Sequence, residues 1–433
     1  MQGNRASRVL AAAAIAVAVA GPVHAGETLS EDRIDALIEV LRERGVIESE
    51  DAQAILERNA AYEKKRSWLS RLSFSGDLRG RYEKFWNQDR RNRERLRYRL
   101  RFGARAEVND HLDVAFRLAS GQLSNSRNQT LGSGLDFDPD GIYIDEAFLA
   151  IRPFGRDAVP IPTAKSLRVL FGKMPNPFNS KKLGKDLILW DGDHTPEGVA
   201  ASLALAPCDC LDLNLDVAYF VIDENSGGAD EDMVAVQLEK RLALAEHVVA
   251  TGALSYYHLD DLGSDFFDRV QTRTNNSSFY GNTVGLSKDM EQIDLIDYRA
   301  TLAFDGIESV PILAYGRFVR NLSATRPGAG FAKQDTAWSA GLELGDKKRN
   351  VRVGAGYFHV EADAVPSSLT DSDLFDGHTN AKGWAIYAKR QVWAQTDFGV
   401  TVFVGDAIDR ALAGGNLSRF DRVRMQGDIQ VKF

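Results

Sequence analysis

Arginine stands at positions 95, 97, 99, 101 and 105 of this chain, with Leu96, Tyr98, Leu100, Phe102 and Ala104 between. Guanidinium groups gathered on one surface attract anions. A helix would wind residues spaced by two around its whole cylinder. A strand sends alternate side chains to opposite faces, so the arginines would share one side and the apolar residues the other. The row predicts a sheet with one apolar and one cationic face.

Other residues capable of chemistry fall into no catalytic pattern. Cys208 and Cys210 form CDC in a short polar turn. A bridge across two positions is tight, and the pair reads as a local disulfide or as free thiols without a catalytic role. Two thiolates without a neighbouring histidine do not complete a zinc site. Trp190–His194 reads WDGDH, which suggests acid–base or metal chemistry. The seven histidines are scattered, however, and no HExxH spacing occurs. No GxSxG elbow, P-loop or dinucleotide fingerprint is present. DFDPDG at 136–141 lacks the twelve-residue calcium pattern. The expectation is a non-enzyme without metal or cofactor.

The elements that must position the arginines follow from the rest of the chain. Of 433 residues, 44% are hydrophobic and 26% charged, with a net charge of −8. The acidic balance argues against nucleic acid as a partner. Beyond the N-terminus no apolar run reaches the roughly 18 residues of a spanning helix, but strands that merely alternate can still cross a bilayer. Two cysteines cannot supply a disulfide framework. Arg5 and Arg8, the apolar run Val9–Ala20, and Val23 and Ala25 before a cut after residue 25 predict a secretory signal over 1–25. Residues 26–71 predict a periplasmic helical or coiled-coil segment. Leu29, Ile34, Leu37, Ile38 and Leu41 lie at helical spacing behind a Thr28–Glu31 capping box, and a second helix follows Ser49.

From Leu72 the period becomes two. Phe74, Leu78 and Tyr82 alternate with Asp77, Arg79 and Arg81, and the pattern recurs to Val423, Met425, Ile429, Val431 and Phe433. Short turns fall near 108–112, 206–211, 243–248, 304–309, 345–350 and 392–397. Long polar connections fall near 121–141, 175–195, 260–291, 321–334 and 363–380. Short turns at one rim and long loops at the other predict a transmembrane, antiparallel, up-and-down β-barrel of about 16 strands over 72–433. A soluble sandwich would also alternate, but only closure removes the sheet edges that lipid cannot satisfy.

In such a barrel Arg79, Arg81, Arg95, Arg97, Arg99, Arg101, Arg105 and Arg117 face the lumen. On the lipid face each would cost roughly 2–4 kcal/mol at the midplane. An arginine-lined wall favours anions, while Asp77, Glu83, Glu94, Glu107 and Asp113 lie close enough to offset it. The connection 175–195 is the candidate constriction loop, carrying Lys181, Lys182, Lys185, Asp186, Asp191 and Asp193. Tyr82, Trp86, Tyr256, Tyr257, Trp338, Tyr357, Trp393 and Phe433 are expected in interfacial girdles.

The order of the helical preface with LIEVLRERGVIESEDAQAIL (37–56), FSGDLRGRYE (74–83), IDEAFLAI (144–151), FGKMPNPF (171–178), LWDGDHTPEGVAASL (189–203) and the Phe433 end resembles the putative porins of Gram-negative outer membranes. The likeness to phosphate-selective porins is looser. Phe433 on an alternating last strand resembles the assembly signal of such barrels. The resemblance implies a water-filled, homotrimeric channel in outer-membrane lipid, inserted by the barrel-assembly machinery and passing small hydrophilic solutes or anions. The alternatives are a structural barrel that tethers the envelope through its N-terminal helices, and a barrel enzyme.

Overall fold

The computed structural model describes residues 71–87, 91–121, 126–133, 138–155, 159–179, 187–262, 281–283, 292–307, 309–346, 348–412 and 422–433. The expected signal and helical segment lie outside them, as do Lys181, Lys182, Lys185 and Asp186. The strands are β1 (Leu72–Asn87), β2 (Arg93–Asn109), β3 (Leu112–Ser120), β4 (Gln129–Thr130), β5 (Ile142–Ile151), β6 (Ala164–Lys173), β7 (Glu197–Cys208), β8 (Leu211–Asp223) and β9 (Glu231–Ala245). They continue with β10 (Val248–Asp260), β11 (Ile293–Phe304), β12 (Ile312–Asn321), β13 (Thr336–Asp346), β14 (Val351–Val360), β15 (Ala381–Trp393), β16 (Thr396–Ala407) and β17 (Arg422–Lys432).

The two-residue β4 only extends the partner of β2 at the loop rim. The other sixteen strands form one antiparallel sheet, closed where β17 pairs with β1. All six short turns expected from the sequence connect strands at one rim, and all five long connections do so at the other. Three stretches whose alternation is weak, 142–152, 310–320 and 351–361, form the strands β5, β12 and β14. Cys208 and Cys210 are disulfide-bonded in the β7–β8 turn, with Cα atoms 5.3 Å apart.

The alternation sorts the two faces. Phe74, Leu78, Leu96, Leu100, Phe102 and Phe116 stand exposed on the outside, while the intervening charged residues turn inward. Trp338, Tyr357 and Trp384 pack together near the loop rim, and Phe74 stacks on Phe102 near the turn rim. Tyr257 does not join this belt. It is buried inside the barrel, because consecutive strand residues cannot share a face and Tyr256 takes the outer one.

Phe433 sits at the seam. Its N–H donates to the Gly76 carbonyl at 3.0 Å and its carbonyl accepts from the Gly76 N–H at 2.7 Å. Its ring lies where a side chain at Gly76 would stand, 2.6 Å from a Cβ placed there. Deleting Phe433 removes both hydrogen bonds from the closing pair. The expected result is a reduced yield of folded barrel in the membrane, read as heat-modifiable mobility on a gel. An unchanged yield would mean that the seam closes without it.

Candidate pore constriction

An empty sixteen-stranded barrel would leave a broad aqueous lumen. Here two loops fold into it. The described parts of the β6–β7 loop, 174–179 and 187–196, bring Met174, Phe178, Ile188, Leu189 and Trp190 against inward Phe220, Tyr257, Leu259 and Leu295. The β14–β15 loop, 361–380, adds Ala364, Val365, Leu374 and Phe375 to the same buried cluster. The loops are tied together. The Asp371 N–H donates to the Leu187 carbonyl at 3.3 Å, the Asp191 N–H to the Leu369 carbonyl at 3.1 Å, and the Ser372 N–H to the Asp191 carboxylate at 2.8 Å.

The cationic wall lies opposite this apolar anchorage. Cross-strand register sets Arg79 beside Arg99 and Arg81 beside Arg97, with Asp77 beside Arg101 and Glu83 beside Arg95. Like charges placed directly opposite repel, so the wall needs carboxylates. Asp77 accepts from Arg99 at 3.0 Å and Arg101 at 2.7 Å. Fully buried Glu83 accepts from Arg95 and, at 2.5 Å, from Arg424. Asp113 holds Arg105 and Arg152 near the turn rim. A β-bulge in β5 turns both Asp145 and Glu146 inward, and Arg117 binds the pair at 2.6 and 2.7 Å. Arginines at 79, 81, 95, 97, 99, 101, 105 and 117 thus share the inner face with carboxylates, which match most of them.

The loops supply further negative charge. Asp193 accepts from Arg99 at 3.1 Å and from the Arg127 N–H at 3.1 Å. Asp373, on the second loop, accepts from Arg81 at 2.8 Å, Arg424 at 2.8 Å and Gln426 at 2.9 Å. Asp376 takes Arg424 at 2.8 Å and also Arg422. The ring beneath these arginines is Phe85. The guanidinium carbons of Arg95, Arg422 and Arg424 lie 5.2, 5.5 and 5.3 Å from its centroid.

Burial pushes against ionisation of Asp193 and Asp373, but the facing arginines outweigh it. Asp193 is held below the usual carboxylate range and Asp373 well below it. Asp191 goes the other way, pushed up to about 6 by burial and by neighbouring Asp193. Burial, then Arg127, pushes His194 down to about 4, so it is neutral near pH 7. His194 is packed edge-on against Trp190, without the partners of an acid–base site.

The sequence points to one inward loop and gives no sign of the second. Nor does the row of eight include Arg422 and Arg424, although DRVRMQGDIQVKF alternates and puts them opposite Val423 and Met425. The signal that finds them is closure, which lays β17 against β1 and adds these arginines to the row.

Tyr387 lies flat over Gly354, and a Cβ on that glycine would run into its ring. The Tyr387 hydroxyl donates to Glu343 at 3.0 Å. Gly354→Ala should lift the ring into the lumen at a cost of about 1–3 kcal/mol. Single-channel conductance is expected to fall; an unchanged value would mean that the ring has room to slide along the wall.

A closed antiparallel barrel, oily outside, charged inside and narrowed by loops from one rim, defines a membrane channel. The family model described as "Putative porin" matches residues 85–262 and 209–433, and the chain belongs to that family of outer-membrane porins. OprB of Pseudomonas putida shares the fold at TM-score 0.51 and 13% identity, covering 86% of this chain and 96% of its own. OmpF of Salmonella typhi, solved in complex with daunomycin, aligns at TM-score 0.50 and 11% identity, covering 84% and 97%. No curated protein matches the chain. The family points to a channel.

Proposed function

We propose that this porin passes small hydrophilic solutes by passive diffusion, through the part of the lumen left open beside the two infolded loops, which are pinned to the arginine wall. The observation that carries this reading is the contact of Arg81, Arg99 and Arg424 with Asp193, Asp373 and Asp376. These ion pairs hold the loops against the wall, narrowing the lumen, and neutralise much of its positive charge, so little net bias is left. Anion preference is accordingly weak, set by the arginines that the carboxylates leave over. The reading extends to the parts read from sequence alone: an export signal over 1–25, a periplasmic helical segment over 26–71, and a homotrimer in outer-membrane lipid inserted by the barrel-assembly machinery.

The test is conductance of refolded protein in a planar bilayer, with the reversal potential under a KCl gradient. Stepwise openings with a small potential of anion sign are expected. Folded protein that never conducts would favour the tethering role instead.

A further inference from the structure

On the turn side of the constriction the lumen keeps a cavity of about 310 Å³ between β1, β17 and the β12–β16 wall. Its charges are mostly committed. Lys389 binds Asp397 at 3.0 Å, and Asp428 takes Arg81 at 2.6 Å. Arg352 stands 3.9 Å from Glu343, which also accepts from Tyr387.

Arg79 is the exception. Its Nη2 donates to the side-chain oxygen of Asn128 at 2.5 Å, its buried Nε has no hydrogen-bond partner, and no carboxylate among the described residues forms an ion pair with it. It is flanked on the same face by Arg81 and Arg99. An arginine cannot shed its proton to escape such a setting, and a charge partly withdrawn from water gains from a partner. The guanidinium therefore keeps hydrogen-bonding capacity that an anion from solution could take up.

The rest of the cavity narrows its class. One uncommitted guanidinium matches one negative charge, and the carboxylates of Glu343 and Asp397 oppose a second. The same carboxylates offer acceptor oxygens to hydroxyl groups, and Gln430 and Thr401 offer donors. The volume lies at the small end of ligand cavities, about 300–1,000 Å³. We propose that Arg79 anchors a solute-binding subsite for small hydroxylated monocarboxylates, of which a six-carbon sugar acid is the type. The proposal rests on the channel reading above and names its solute.

Block of KCl current through single channels tests it, with gluconate, glucose and inorganic phosphate as probes. Gluconate should half-block at a concentration at least ten-fold below either of the others. Arg79→Gln should weaken gluconate block ten-fold or more and leave glucose block unchanged. Arg79→Lys, which keeps the charge but loses the fork, covers the case in which the glutamine variant does not assemble, and should weaken block at least three-fold. Gluconate block no stronger than that of glucose or phosphate would overturn the subsite while leaving the channel intact. So would an arginine variant that conducts and is blocked as wild type. Folded wild-type protein without conductance would sink the channel reading and the subsite together.

Discussion

Replacing Asp373 with asparagine is expected to shift the reversal potential toward anions and to loosen the second loop in the same step. Asp373 is the loop carboxylate shared by Arg81 and Arg424, with Gln426 as a third donor. The asparagine keeps the shape but removes the charge and turns one acceptor into a donor that would face guanidinium groups. Breaking a buried ion pair from one side costs about 3–5 kcal/mol. The cost here falls below that, because the Asp373 side chain is partly exposed, Arg81 retains Asp428 and Arg424 retains Glu83. The lumen gains one net positive charge where the loop meets the wall, which accounts for the direction of the potential. Looser seating should appear as added current noise. Asp376→Asn should follow the same direction. A D373N channel with wild-type potential and quiet openings would mean that ions pass elsewhere.

Acid should mimic this substitution. The folded-state pKa of Asp373 is depressed, so the stability it contributes is full above the ordinary carboxylate range and is lost as pH falls through its lowered value. Asp193 has the same sign. Asp191 has the opposite one: its raised pKa means that the folded loop takes up a proton near pH 6, before the unfolded chain would, and its charge weighs against the folded form above that. The release of the second loop is therefore expected only below the ordinary carboxylate range, without an earlier step from Asp191. Noise analysis against pH checks the order.

Much of this architecture is legible in the residues. Period two over Arg95–Arg101 sets the faces, and loop lengths set the two rims. What cannot be read has physical reasons. The inward fold of 361–380 depends on Leu374 and Phe375 finding a surface built by strands far apart in sequence. The bulge that turns Asp145 and Glu146 the same way breaks the alternation on which face assignment rests. Tyr257 shows the reverse case, in which strict alternation with Tyr256 already forbids both rings from the outer belt. The pairing of Arg81 with Asp428, 347 positions away, needs the closed barrel before it can be seen.

Trp190→Ala should free the first loop and, through it, disturb the second. Trp190 is 3% exposed, packs edge-on at 5.7 Å against Tyr257 and donates its indole N–H to the Tyr257 hydroxyl at 3.3 Å. Phe178 meets the same tyrosine at 5.5 Å, so one inward ring on β10 anchors both ends of the described loop. Truncating a buried tryptophan costs about 3–5 kcal/mol. The barrel itself keeps its strand pairing, so the loss should be local opening rather than global unfolding. Larger, noisier conductance steps are expected, together with protease cleavage in the loop that wild type resists. The Asp191–Ser372 contact then predicts coupling between the loops. W190A and D373N combined should change conductance by less than the sum of the two, because either alone already relaxes part of the shared contact. Strict additivity would separate the loops into independent constrictions, each held by its own chemistry: aromatic packing for the first, guanidinium pairs for the second.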